Sequence, residues 1–314
     1  MAGDRDRLAG VGGWLMPFGP MGREPDQRAV EKLDSSCASF ASAGHKIATT
    51  GEGKVVLLHD YIRQVAGGDI IREQTIGDCV SQAYAGAVDC LACVEIGLKK
   101  DHERWGGAEN ASEWIYWGSR VQVGKGRLGA GDGSVGAWAA EFVRDYGTLI
   151  RTTYGPVDLR KYSGDRAKAW GMPRFQPSPG LMETAKPYRV QQVSLVTTYE
   201  QVRDAIANGF PVVVCSNQGF TDQRDDDGFA RASGVWGHAL LMYGVDDNPR
   251  RPGILSLNSW GRSWISGPKR HKQADGSFWI DAAVINRMVG GQMPDSWALS
   301  NYAGYPRRRL YEMV

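Results

Sequence analysis

Residues 79 to 98 read CVSQAYAGAVDCLACVEIGL, and this segment limits most what the chain can build. Small and apolar residues at Cys79, Ala83, Gly86, Ala87, Cys90 and Val94 follow the i, i+3, i+4 spacing of a buried helical face. The pattern predicts a central helix that other elements must cover. Just before it comes the polar turn QTIGD, so a thiol sits in the first helical turn. A helix N-terminus carries partial positive charge and unpaired N–H groups, and both favour thiolate over thiol. Gly77 gives the backbone freedom just upstream. Position alone also fits the common use of cysteine as a small core residue.

A cysteine nucleophile needs a base, and the base needs an orienting partner. His238 opens the apolar run HALLMYGV, and Asn258 closes GILSLN. The midpoint between them falls at 248, inside the turn-rich DDNPRRPG. A symmetric hairpin would set them directly across from each other, about 4.5–5.5 Å apart at Cβ. Asn258 would then accept the imidazole Nδ1–H and turn Nε2 toward a thiol. Trp260, two residues on, would shield that bond from water. Taken alone, the pair also fits a core histidine satisfied by a neighbour.

The remaining pattern places helices first and strands later. SEWIYWGSRV suggests a second helix, and GDGSVGAWAAEFVRDYGTL a Gly-rich turn and a third. Residues 155–190 look irregular. TTYEQVRDAIANGFPVVVCS reads as helix, glycine stop and buried strand; GSFWI is a later strand. This order favours an α+β fold with segregated halves.

Taken together, QTIGDCVSQA, GHALLMYGV, LSLNSWGRSW and GSFWI occur in the order used by papain-like cysteine peptidases. The sequence resembles that family over about residues 53 to 289, with NSWGRSW the most specific match. The resemblance implies a two-lobed fold, a helical lobe facing an antiparallel β lobe across a cleft. It implies that Cys79 is the nucleophile, His238 the general base and later acid, and Asn258 the orienting residue. Gln74 becomes the oxyanion donor beside the Cys79 N–H. Gly133 and Ser134 match the loop that pairs with an extended peptide substrate, with Gly237 and Trp260 on the opposite wall. Two departures stand out. Four residues separate Gln74 from Cys79 where the family usually has five, which weakens the expected oxyanion hole. Asp78 precedes the nucleophile, and its charge disfavours a thiolate.

This divides the chain into an N-terminal extension (1–52), the peptidase-like domain (53–289) and a C-terminal tail (290–314). The tail carries Trp297, Tyr302, Tyr305 and an arginine run, and aromatics in such extensions often mediate assembly. A formal net charge of +2 without a clustered basic face argues against a nucleic-acid partner. No uniformly apolar run of 18 residues is seen, so no membrane span is expected. The first residues lack the apolar run of a signal peptide. Five cysteines, an odd number, suggest free thiols, and Cys90-Leu91-Ala92-Cys93 reads as core packing. The acidic stretch at 221–229 reads as a solvated loop, and no cofactor or metal is expected. Two functions fit: a cytoplasmic cysteine peptidase acting on a peptide or protein substrate, or an oligomer-forming structural or assembly protein with weak or lost activity, for example a bacteriophage virion component. The first expects an open cleft with Cys79 and His238 in contact. The second expects a terminal extension to fill the cleft.

Overall fold

The structure, a computed structural model, describes residues 12–15, 28–37, 40, 49–99, 109–291 and 294–302. Its centre is helix α3 (Cys79–Lys99), where every residue from Cys79 to Ile96 is buried. The expected apolar face is therefore an apolar cylinder, as in a helix covered on all sides. By length and composition the helix could cross a membrane, but it is wholly enclosed within the fold. α2 (His59–Ala66), α4 (Ser112–Trp117) and α5 (Gly136–Asp145) pack around it, with strands β6 (Ala230–Asp246) and β9 (Asp295–Tyr302) on the other side. Asp89 is tolerated in this core because Arg72 pairs with it, while Asn110 donates its backbone N–H at 2.8 Å and its side chain at 2.7 Å.

The second half is an antiparallel sheet ordered β4–β9–β5–β6–β7–β8, with β1 (Val55–Leu57) added to β6. β2 (Thr153–Tyr154) and β3 (Val157–Asp158) form a separate antiparallel pair; β4 is Val190–Leu195, β5 Val212–Arg224, β7 Gly253–Leu257 and β8 Ser277–Asp281. Helices come first and strands dominate later, so the α+β expectation holds.

Several expectations change. Asp295–Tyr302 do not belong to a tail: they form β9, which lies between β4 and β5 and pairs with both. Trp297 is fully buried there, not an assembly aromatic on the surface. Tyr305 and the arginine run lie outside the described residues. Residues 155–190 contain α6 (Gly164–Trp170) and α7 (Pro179–Ala185). Ser163 caps the first by accepting the Arg166 N–H at 3.2 Å. Thr221 to Arg224 belong to β5, so the acidic stretch is a hairpin end, not one loop. In the N-terminal extension, α1 (Arg28–Ser35) packs on α5, and Gly51 donates its N–H to Asp204 in α8 (Tyr199–Ala207) at 2.8 Å.

Candidate active site

The head of α3 and the start of the apolar half of β6 meet between the two lobes. Cys79 is completely buried, and the N–H groups of Gly13 and Ala239 turn toward its sulfur. Those donors favour a thiolate, but desolvation outweighs them and pushes the thiol up to about 12. Gly77 is not among the residues with positive φ. It is needed for space, since a Cβ there would come within 2.9 Å of the Gly12 carbonyl oxygen.

His238 Nε2 lies 2.8 Å from Asn258 Oδ1. The same oxygen accepts the Ser259 backbone N–H at 2.7 Å, which fixes it as an acceptor. Nε2 must therefore carry the ring proton, and Nδ1 keeps the lone pair. Nδ1 is buried without a hydrogen-bond partner. The expected roles of the two ring nitrogens are thus exchanged: Asn258 holds Nε2, leaving Nδ1 as the basic atom. Burial pushes His238 down to about 4, with the Asn258 bond partly offsetting it. Burial thus disfavours both the thiolate and the imidazolium here.

The expected hairpin register also shifts. β6 pairs Leu241 with Leu257, an irregularity follows between Met242 and Gly244, and Asp246 pairs with Gly253. The pairs next to the turn are centred at 249.5 and those beyond the extra residue in β6 at 249, so the hairpin is offset from 248 from its turn onward; Asn258 lies beyond the last pair and reaches His238 diagonally. Trp260 does cover the pair as expected. Its ring centroid is 4.7 Å from that of His238, and Trp236 lies 4.7 Å from Trp260 and 6.1 Å from His238, so the three rings cluster.

Gln74 is near the site, but its amide is engaged elsewhere. Nε2 donates to the Ile76 carbonyl at 2.9 Å, and Oε1 accepts from Ser259 Oγ at 2.5 Å. These two bonds anchor the Gln74 side chain between its own loop and the residue after Asn258. Asp78 is fully buried, and desolvation raises its carboxyl to about 7. Gln82 Nε2 donates to it at 3.0 Å, and the Tyr162 hydroxyl also bonds to it. Its charge raises the Cys79 thiol, but burial largely silences that charge below neutral pH.

Gly133 and Ser134 form one edge of the cleft and Gly237 the other, and residues 12–15 lie between them. Ser134 N–H donates to Gly13 O at 2.7 Å, and Leu15 N–H donates to Ser134 O at 2.8 Å. Trp14 N–H donates across the cleft to Gly237 O at 2.9 Å. Glycines permit this close passage. A Cβ on Gly13 would overlap the Gly77 carbonyl, and one on Gly133 would press on Leu15 Cγ at 2.7 Å. The expectation of an open cleft therefore fails, as does that of a hydrogen bond between Cys79 and His238.

Sequence reasoning missed three residues here. Arg120 sits in a π-helical turn, Gly118–Val123, and donates to the carbonyls of Gly129, Gly131, Gly133 and Gly171, which pins the substrate-edge loop. Trp14 and Asp295 bond to each other with 281 positions between them, a distance no local motif spans. Among the described residues no group of three His, Cys, Asp or Glu side chains could hold a metal ion.

This architecture is the papain-like fold: a central helix that begins at Cys79, facing an antiparallel sheet that carries His238, with Asn258 just past the end of β7. The chain is similar to xylellain, a cysteine protease from Xylella fastidiosa, with 17% identity and a TM-score of 0.58, covering 93% of this chain and 97% of that one. It is similar to the digestive procathepsin L2 proteinase of Tenebrio molitor larval midgut, with 14% identity and TM-score 0.53 over 95% and 87% of the two chains. It is also similar to proCathepsin B S9 from Trypanosoma congolense, with 13% identity and TM-score 0.51 over 96% and 98%. No family model and no curated protein sequence matches the chain.

Proposed function

We propose that the protein is a cysteine peptidase that cleaves peptide bonds with Cys79, His238 and Asn258, and that residues 12–15 hold it latent. The observation that carries this reading is the imidazole. Its Nε2–H is tied to Asn258 while the Nδ1 lone pair stays unbonded, next to a residue whose N–H faces the Cys79 sulfur. A core histidine is normally satisfied at both nitrogens. Two of the similar structures are pro-forms, which agrees with a latent state.

With the segment displaced, water reaches the site and the desolvation that opposes charge falls. His238 Nδ1 then takes the Cys79 proton, and the thiolate attacks the peptide carbonyl carbon. The resulting oxyanion meets the Cys79 N–H at the helix head. The Nδ1 proton passes to the leaving amine as the C–N bond breaks. Water, deprotonated by Nδ1, attacks the thioester and returns the thiol. While plugged, a thiol near 12 is ionised to about one part in 10⁵ at pH 7.

The filled cleft equally favours a second reading, an assembly protein that keeps the fold without turnover. Alkylation of Cys79 by iodoacetamide from pH 4 to 9, read by peptide mass spectrometry, separates the two. In a Trp14→Ala chain the peptidase reading expects fast labelling well below pH 8.5, lost in His238→Ala, and protein hydrolysis abolished by Cys79→Ala. Labelling that follows an ordinary thiol and ignores His238 would leave only the assembly reading.

A further inference from the structure

Between α3 and the β6–β7 hairpin is a cavity of about 10 Å³, the room of one water-sized atom. Gln82 and Gly86 wall it from the helix, Leu241 and Leu257 from the strands, and Arg72 and Asn258 supply its polar side. Arg72 is 6% exposed and Asn258 1%. Each has one buried nitrogen without a hydrogen-bond partner, Arg72 Nε and Asn258 Nδ2. Gly86 makes the room, since a Cβ there would stand 3.6 Å from Arg72 Nε and 3.2 Å from Leu241 Cδ2.

The rest of each side chain is committed. Arg72 Nη2 pairs with Asp89 and donates to the Asn110 carbonyl at 3.1 Å. Asn258 Oδ1 meets His238 Nε2 at 2.8 Å and accepts the Ser259 N–H at 2.7 Å, which leaves Nδ2 as the donor left over. Asp89 does not serve these donors, because Arg72 Nη2 and Asn110 hold its two oxygens. A buried donor without an acceptor is costly. Among the side chains that line the cavity only donors are left over, so an acceptor fits there and a further cation does not. The size admits one atom. A halide ion and a water oxygen share that chemistry; a carboxylate or a phosphate is too large.

We propose that this cavity binds one hydrogen-bond acceptor of single-atom size, a halide ion or a water oxygen, and that through it Arg72 positions Asn258 against His238. Arg72 Nε–H and Asn258 Nδ2–H both donate to the occupant. The amide is then held at both of its polar atoms, and the imidazole that leans on it keeps its Nε2–H bond and its free Nδ1. The Arg72–Asp89 pair anchors the far end in the core of α3. The positioning rests on the peptidase reading; the occupancy does not.

Crystals of the full-length chain, grown without chloride and soaked in sodium bromide, read the occupancy. An anomalous bromide peak between Arg72 Nε and Asn258 Nδ2 marks a halide site. An oxygen-sized peak that ignores bromide marks a water. No density there overturns the proposal. The positioning is read in the Trp14→Ala chain by iodoacetamide labelling of Cys79, with and without Arg72→Lys, which keeps a cation for Asp89 but has no Nε–H. Labelling at pH 6 should fall about fivefold, the worth of one hydrogen bond, while labelling at pH 9, where a thiol ionises unaided, should change by less than about twofold. A general loosening of the fold would raise both. Gly86→Ala, which leaves the ion pair intact and crowds the occupant, should show the same loss at pH 6, and it decides alone should Arg72→Lys not fold. Replacing chloride by gluconate at equal ionic strength should reproduce the loss for a halide and do nothing for a water. Equal labelling at pH 6 with and without these substitutions overturns the positioning. If Trp14→Ala itself labels like an ordinary thiol, the peptidase reading fails, and the bromide crystals still decide the occupancy.

Discussion

The N-terminal segment 12–15 and the C-terminal strand β9 both lie outside the stretch that resembles a peptidase, and they touch at one hydrogen bond. They are held in opposite ways. β9 exchanges backbone bonds with β4 on one side and β5 on the other, and buries Trp297 completely. Residues 12–15 make three backbone bonds to cleft edges and insert one side chain. Removing β9 would split the sheet; removing the segment would only open a cleft. A chain end can thus be part of the fold or a removable occupant of it, and how many neighbouring strands it pairs with tells which.

The largest expected effect falls on β9. Trp297→Ala should cost about 3–5 kcal/mol in urea unfolding, the usual result of emptying a large buried site. A loss under about 1 kcal/mol would mean that β9 is as detachable as the segment.

Acid acts next, on the segment. An exposed imidazole gains its proton near pH 6.5, whereas plugged His238 resists until about 4. The closed state is therefore fully favoured above pH 6.5 and weakens as pH falls toward 4, by up to about tenfold per unit. Hydrogen exchange at Trp14 and Leu15, corrected for intrinsic pH dependence, should show this rise; a flat profile would remove His238 from the closure. Global unfolding is a poorer readout because Asp78 has the opposite sign. Its native carboxyl keeps a proton up to about 7, against an ordinary 3.8, so its contribution is full below 3.8 and lost as pH rises through 7.

Trp14→Ala should raise Cys79 alkylation at least tenfold and cost the global fold no more than the free energy of local opening. Unfolding shifted as far as in Trp297→Ala would erase the contrast between the two ends. The smallest effect should come from Arg120→Lys. With fewer carbonyls held, the loop at 129–133 loosens, and KM for a peptide should rise several-fold with kcat little changed. A fall in kcat alone would mean that Arg120 acts on the chemistry and not on the cleft edge.

The central helix, the order of halves and the three residues Cys79, His238 and Asn258 were legible because each is announced locally, by period, by position at an element end or by a short motif. The register of the histidine hairpin was not, since the conformation of the turn after Asp246 and an extra residue near Met242 set it together, and neither can be read from composition. Trp14, Arg120 and Asp295 went unnoticed for a common reason. Each acts through partners fixed only when distant segments close on one another.

β9 carries a consequence for how the molecule comes into being. Leu195 pairs with Trp297, about a hundred residues later. A ribosome delivers Cys79, His238 and Asn258 before it delivers β9, so a growing chain holds all three before the sheet around them is complete. Long-range pairing of this kind is slow to form. The newborn protein thus passes through an interval in which the middle of its sheet still stands open.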